Sequence, residues 1–220
     1  MSYPDIIIAA HNEQDTVGAV IAAARDSLSV GRIIVVSDAS TDRTWAAAQE
    51  ADVLTHSRAK DKGSAIAAGL HYVTTEDTVL LDADIIGLLP AHVRVLATHP
   101  PSGGQVVGVR SDRGWSGGLP SITGERRVPT DLLSSVPLVG AGWRTETLIN
   151  AAVGRAGLPW RAVRLVGVIN PTKMGRDPFG WLKEAGTVAG TALAHAPELV
   201  AYMRHPAGTT KMVASDPAIH

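Results

Sequence analysis

Thr78-Val79-Leu80-Leu81-Asp82-Ala83-Asp84 is the stretch whose reading decides the fold. A short apolar run passes directly into two carboxylates separated by one small residue. Side chains alternate along an extended chain, so Asp82 and Asp84 point the same way. Paired hard oxygens of this kind suit Mg²⁺ or Mn²⁺, with substrate phosphates filling the remaining positions. A metal held there neutralises charge on a nucleoside diphosphate leaving group as its bond breaks.

Upstream of this stretch the same pattern recurs. Asp5 to Ala10 (DIIIAA) is an apolar run that stops at His11-Asn12-Glu13, and Arg32 to Val36 (RIIVV) stops at Ser37-Asp38. Asp52 to Thr55 is a short third strand. Between these runs lie helical patterns through Val17, Val20, Ile21 and Ala24, from about Thr41 to Glu50, and from Lys62 to Val73 with Ile66, Leu70 and Val73 on one face. Short, fully apolar strands alternating with amphipathic helices predict a mostly parallel α/β sheet flanked by helices on both faces. In such a sheet ligands bind outside the carboxyl ends of the strands. Asn12 and Glu13, Asp38, and Asp82 with Asp84 are therefore expected to line one crevice. The alternative for each alone is a helix cap or turn residue, since Asp, Asn and Ser favour those positions.

The second half is less regular. Gln105 to Arg110 reads as a strand, Ser111 to Ile122 as a Gly- and Ser-rich loop, and Thr130–Ser135 and Arg144–Gly157 as helices. Arg161 to Val166 reads as a strand, Asn170 to Asp177 as a turn, Phe179 to about Arg204 as helical, and residues 205–220 as a tail. The 220 residues are expected to form one domain, with residues 1–110 as the nucleotide-sugar half and 111–204 as the acceptor half.

Composition narrows the function. A formal net charge of -1 supplies no global field for nucleic acid or an anionic membrane. With 0 Cys there is no disulfide framework and no thiolate chemistry. Aromatics at 4% weaken any reading built on stacked bases. The N-terminus shows no basic region followed by a long apolar stretch, and no apolar run approaches the roughly 18 residues of a membrane span. A cytoplasmic location is expected.

With these residues in place, the chain resembles family 2 glycosyltransferases of the GT-A (Rossmann-like) fold. The resemblance rests on four segments in order: Ala10-His11-Asn12-Glu13, Ser37 to Thr44 (SDASTDRT), Lys60-Asp61-Lys62-Gly63, and Asp82-Ala83-Asp84. It implies donor contacts from Ala10, Asn12, Glu13, Asp38, Lys62, Gly63, Asp82 and Ala83, and metal ligation by Asp82 and Asp84. A narrower similarity, to glucosyl-3-phosphoglycerate synthases and polyprenyl-phosphate sugar transferases, rests on Ile122 to Arg127 (ITGERR), Gly142 to Glu146 (GWRTE) and Gly167 to Met174 (GVINPTKM). It implies an acceptor side built from Gly124, Arg126, Arg127 and Arg144. The last segment supplies a metal-binding His in those relatives, and the matching position here is Asn170. Either its amide oxygen, another residue such as His205, or water completes the set.

The expectation is thus a metal-dependent glycosyltransferase using a UDP- or GDP-sugar and Mg²⁺ or Mn²⁺. Asp84 and Glu146 are its candidate catalytic residues. The three arginines would clamp a small anionic or lipid-phosphate acceptor, because Arg matches phosphate bidentately. A macromolecular acceptor, protein or modified DNA, is an alternative, as is a catalytically silent nucleotide-sugar-binding protein. A sugar-1-phosphate nucleotidyltransferase would need a Gly-rich loop with Arg and Lys after the first strand, where this chain has Ala9 to Glu13 (AAHNE). A homo-oligomer is compatible with everything above.

Overall fold

The computed structural model describes residues 2–100, 103–110, 123–170, 178–204 and 206–210. In the first half, β1 (Asp5–Ala10), α1 (Val17–Asp26), β2 (Ile33–Asp38), α2 (Thr44–Ala47), β3 (Val53–Ser57), α3 (Lys62–Leu70), β4 (Asp77–Asp82) and α4 (Pro90–Thr98) alternate. Then come β5 (Gln105–Arg110), β6 (Arg126–Pro129), α5 (Thr130–Ser135), a 3-10 turn (Gly142–Arg144), α6 (Thr145–Arg155) and β7 (Trp160–Leu165). The chain continues through α7 (Pro178–Ala194), α8 (Ala196–Arg204) and β8 (Pro206–Thr210).

The strands form one 8-stranded sheet in the order β3-β2-β1-β4-β6-β5-β7-β8. Every pairing is parallel except those of β6, which runs antiparallel to β4 and to β5. Burial of both faces explains why β1 is apolar from Ile6 to Ala10. Ile6 and Ile8 pack on one face with Val17, Val20 and Ile21 of α1 and Val93 and Leu96 of α4. Ile7 packs on the other face with Ile66 of α3, Leu133 of α5 and Ile149 of α6. A smaller cluster joins Val153, Trp160, Ala162 and Tyr202; there the two aromatic rings stack at 4.5 Å, and Trp160 Nε1 donates to the Tyr202 carbonyl at 2.6 Å.

The expected α/β architecture is therefore present, with helices on both faces. Four details differ from the sequence reading. Arg126–Pro129 is an inserted strand, α4 fills a stretch that had no assigned element, the long terminal helix breaks at His195, and β8 occupies part of the expected tail, paired to β7. No helix among the described residues is long and apolar enough to cross a membrane.

Candidate functional site

The carboxyl ends of β1, β2, β3 and β4 lie along one edge of the sheet because these strands are parallel. Strain collects there. Asn12, Ala39 and Lys60, each just beyond a strand, have φ of 55°, 48° and 47°, a conformation that costs non-glycine residues energy and clusters at functional sites. The loops hold one another in place. Asn12 Oδ1 accepts from the Thr41 amide at 2.8 Å, the Asn12 amide donates to Ser40 Oγ at 3.2 Å, and Ser40 Oγ donates to the Ala10 carbonyl at 3.2 Å. The Glu13 amide donates to Thr44 Oγ1 at 2.8 Å. Asp38 is 4% exposed, and its Oδ1 has no hydrogen-bond partner among the described residues. A buried carboxylate oxygen left without a donor marks a place where a ligand N–H or O–H completes the pairing.

Lys62 enters from the first turn of α3. Asp61 caps that helix, its carboxylate accepting from the Ser64 amide at 2.7 Å. Gly63 is needed for packing: a Cβ there would lie 2.9 Å from the Ala141 Cβ and closer still to the Leu138 carbonyl. This contact seats α3 against the start of α6. Lys62 Nζ then lies 2.5 Å from Asp82 Oδ1 and 2.5 Å from Glu146 Oε1. Burial by itself would lower the Lys62 pKa, but the two carboxylates outweigh it and hold the ammonium protonated above its ordinary range. Glu146 is thus an ion-pair partner of Lys62, set in the first turn of α6.

Asp82 carries a second cation. Arg110 Nη1, at the end of β5, is 3.5 Å from Asp82 Oδ2 and 3.1 Å from Glu125 Oε1. Glu125 is fully buried; desolvation first, and then the neighbouring Asp82 charge, push its carboxyl up to about 7 despite Arg110. Glu146, Lys62, Asp82, Arg110 and Glu125 form one alternating run of charge drawn from separate segments of the chain. Arg110 and Glu125 had no part in the site read from sequence. The available signal was an arginine closing a strand, QVVGVR, that is otherwise without charge.

Asp84, 9% exposed, follows two residues on, beyond the buried Ala83. An antiparallel bridge ties this loop to the one after β7: the Ile86 amide donates to the Ile169 carbonyl at 2.9 Å, and the reciprocal bond is 3.0 Å. Gly87 and Gly167 permit it, since a Cβ on Gly87 would lie 3.2 Å from the Gly167 carbonyl carbon. Asn170, also 9% exposed, is thereby carried to the loop that bears Asp84. His205 lies outside the described residues, as does the Gly-rich loop 111–122.

The acceptor-side residues are held mainly by the protein itself. Gly124 lies against the Asp82 carboxylate, just ahead of β6. Arg126 is 0% exposed, donating to Asn150 Oδ1 at 2.9 Å and to the Thr123 carbonyl. Arg127 donates to the carbonyls of Ala97 and His99, each at 2.8 Å, at the end of α4. Both are locked into β6 as buried strand residues. Arg144 donates to the Gly140 carbonyl at 2.7 Å and to that of Ala141 at 3.1 Å, closing its own turn.

Comparison with known proteins accords with this geometry. Residues 5–119, just over half of the chain, match the family model for glycosyl transferase family 2. No curated protein matches the sequence. Among solved structures, glucosyl-3-phosphoglycerate synthase from Mycobacterium tuberculosis, with Mn²⁺, UDP-glucose and phosphoglyceric acid, superposes with a TM-score of 0.71 at 22% identity; the match covers 88% of this chain and 79% of that one. The same enzyme with Mn²⁺, UDP-glucose and glycerol 3-phosphate gives 0.71 and 22%, covering 88% and 80%. The fold is that of these GT-A enzymes, and the chain belongs to glycosyl transferase family 2, as a nucleotide-sugar-dependent glycosyltransferase.

Proposed function

We propose that this chain moves a sugar from a uridine diphosphate donor to a hydroxyl of a small phosphorylated acceptor, with Mg²⁺ or Mn²⁺ on Asp84. The observation that carries the reading is the Lys62–Asp82–Glu146 ion-pair run at the carboxyl ends of the strands, with the Ile86–Ile169 bridge joining the loop that bears Asp84 to the loop that bears Asn170. Structural likeness to an enzyme crystallised with UDP-glucose, Mn²⁺ and phosphorylated three-carbon compounds supports the donor and acceptor classes.

The residues fit such a metal. Asp84 offers a buried carboxylate and Asn170 an amide oxygen, both hard donors. Among the described residues no group of three or more His, Cys, Asp or Glu could hold an ion. Diphosphate oxygens would fill the remaining positions, as is usual for Mg²⁺. Asp82 is held between Lys62 and Arg110, and we place the metal on Asp84 and Asn170 for the hard oxygens they offer. Bound there, the ion supplies charge neutralisation for the departing diphosphate.

The chain's own groups do the rest. Asp38 accepts from the nucleoside through its open Oδ1. Lys62, held protonated by its two carboxylates, offers N–H donors to the diphosphate and leaves part of its charge on Asp82. Glu146 is within reach of Lys62 and fixes its height in the cleft. The acceptor's phosphate is met by groups other than Arg126 and Arg127, which are committed to β6.

Calorimetry with UDP and Mg²⁺, followed by mass spectrometry of UDP-glucose incubated with 3-phosphoglycerate or glycerol 3-phosphate, tests the reading. Asp84→Asn is expected to abolish Mg²⁺-dependent binding and transfer. Full activity in excess EDTA, or no UDP binding by the wild type, would contradict it.

A further inference from the structure

We propose that Arg110 and Glu125 are positioning residues for the donor site, acting through Asp82 to set where Lys62 stands. This rests on the donor-site reading above. Both side chains are buried: the side chain of Arg110 is 3% exposed and that of Glu125 0%. A buried ion pair is weak grounds for stability, because an apolar pair of similar volume packs as well without the desolvation cost. The site of this pair therefore calls for another reason, and the sheet supplies it.

Arg110 ends β5 and Asp82 ends β4, with β6 lying between them. An arginine on β5 reaches the β4 carboxylate only if the intervening chain leaves a gap. Gly124 is that gap. It lies against the Asp82 side chain just before β6, and a Cβ on it would lie within 2.5 Å of Asp82 Oδ2. Glu125, the next residue, is locked to β5 by its carbonyl, which accepts from the Gly108 amide at 2.7 Å. Its carboxylate then draws Arg110 Nη1 to 3.1 Å, leaving the same nitrogen 3.5 Å from Asp82 Oδ2.

The consequence is a division of Asp82. Oδ2 faces Arg110 and Oδ1 faces Lys62 at 2.5 Å. Glu125 holds Arg110 back, so Arg110 orients the carboxylate without competing for the oxygen that anchors Lys62. Removing the guanidinium frees Asp82 to rotate, and Lys62 swings toward Glu146 and away from the donor. In this role the pair works through position alone.

The test is a double-mutant cycle read by calorimetry of Mg²⁺ with UDP, alongside thermal melting. Arg110→Lys keeps the charge but carries it on a compact ammonium one bond nearer the backbone than Nη1, short of the point between the two carboxylates. It should fold, melt near the wild type and bind Mg²⁺·UDP about tenfold more weakly, while the same Arg110→Lys in the Asp82→Asn background should weaken binding by no more than about twofold beyond Asp82→Asn alone. A merely structural pair would shift melting in both backgrounds equally and leave the affinity of Arg110→Lys untouched. Wild-type affinity in Arg110→Lys, or fully additive losses in the cycle, would overturn this proposal alone. Wild-type protein that bound no UDP with Mg²⁺ would overturn the donor-site reading and this proposal together.

Discussion

Adding one methyl group at Gly124 should disable the donor site. No positive φ is required at this position, so Gly124→Ala carries no backbone penalty and its whole effect comes from contact. The new Cβ would fall inside the Asp82 carboxylate, within 2.5 Å of Oδ2 and nearer to Oδ1. A free carboxylate would turn aside cheaply, but this one is fastened at 2.5 Å to Lys62 and sits beside Arg110. Overpacking costs about 1–3 kcal/mol, and breaking a buried ion pair roughly 3–5 kcal/mol where one partner is lost outright. Here Lys62 keeps Glu146, so about 3 kcal/mol is the expected loss. For a chain of this length that lowers Tm by about 6–12 °C. Mg²⁺·UDP affinity should fall at least about tenfold, or 1.4 kcal/mol. Differential scanning calorimetry and titration calorimetry read the two effects. Gly186→Ala, on α7 with nothing within 4 Å of its Cβ, is the control and should leave both unchanged or raise Tm slightly. Wild-type Tm and affinity in Gly124→Ala would refute the reasoning.

Two further outcomes follow from the buried charges. Glu125 binds its proton more tightly folded than unfolded, so its contribution to stability is fully present below pH 4.5 and is lost as pH rises toward about 7. Urea melts across that window should show wild-type stability falling with pH and Glu125→Gln falling less; identical slopes would mean that Glu125 does not titrate there. Arg127→Met should strand the carbonyls of Ala97 and His99, costing about 1–3 kcal/mol for each buried group, yet leave Mg²⁺·UDP affinity within about twofold. Loss of affinity at unchanged Tm would return Arg127 to the ligand.

How much of this was legible in the sequence depends on how local the cause was. The parallel half was legible because β1, β2 and β4 are apolar on both faces and end in polar residues, a pattern contained within each segment. Asp61 capping α3 and the Asp82-Ala83-Asp84 turn are local in the same sense. The strand β6 was not legible. Glu125-Arg126-Arg127 looks like solvated charge until Asn150, Ala97 and His99 are brought to it from elsewhere in the chain. The arginines were therefore placed on an acceptor, when their partners are carbonyls and an amide of the protein itself. Arg110 and Glu125 were missed for the same reason, since their significance depends on a strand order that no single segment specifies. Helix α4 was available, with Pro90 at its start and Val93, Leu96 and Ala97 in a stripe, but it is short and carries His92 and Arg94 among its apolar residues.

The late arrival of β6 also matters while the chain is being made. The β1 partner of β4 precedes it in the chain, but the partner of its opposite edge is Arg126–Pro129, more than forty residues further along. Throughout that interval Thr78-Val79-Leu80-Leu81 is an apolar strand with a bare row of amides and carbonyls, the kind of edge on which chains stick together. Asp77 and Asp82 stand at its two ends. Their negative charges stand where a second chain would have to align, the placement that gatekeeper residues have. The aspartate that anchors Lys62 in the finished protein is thus also the charge that ends the open edge of the unfinished one.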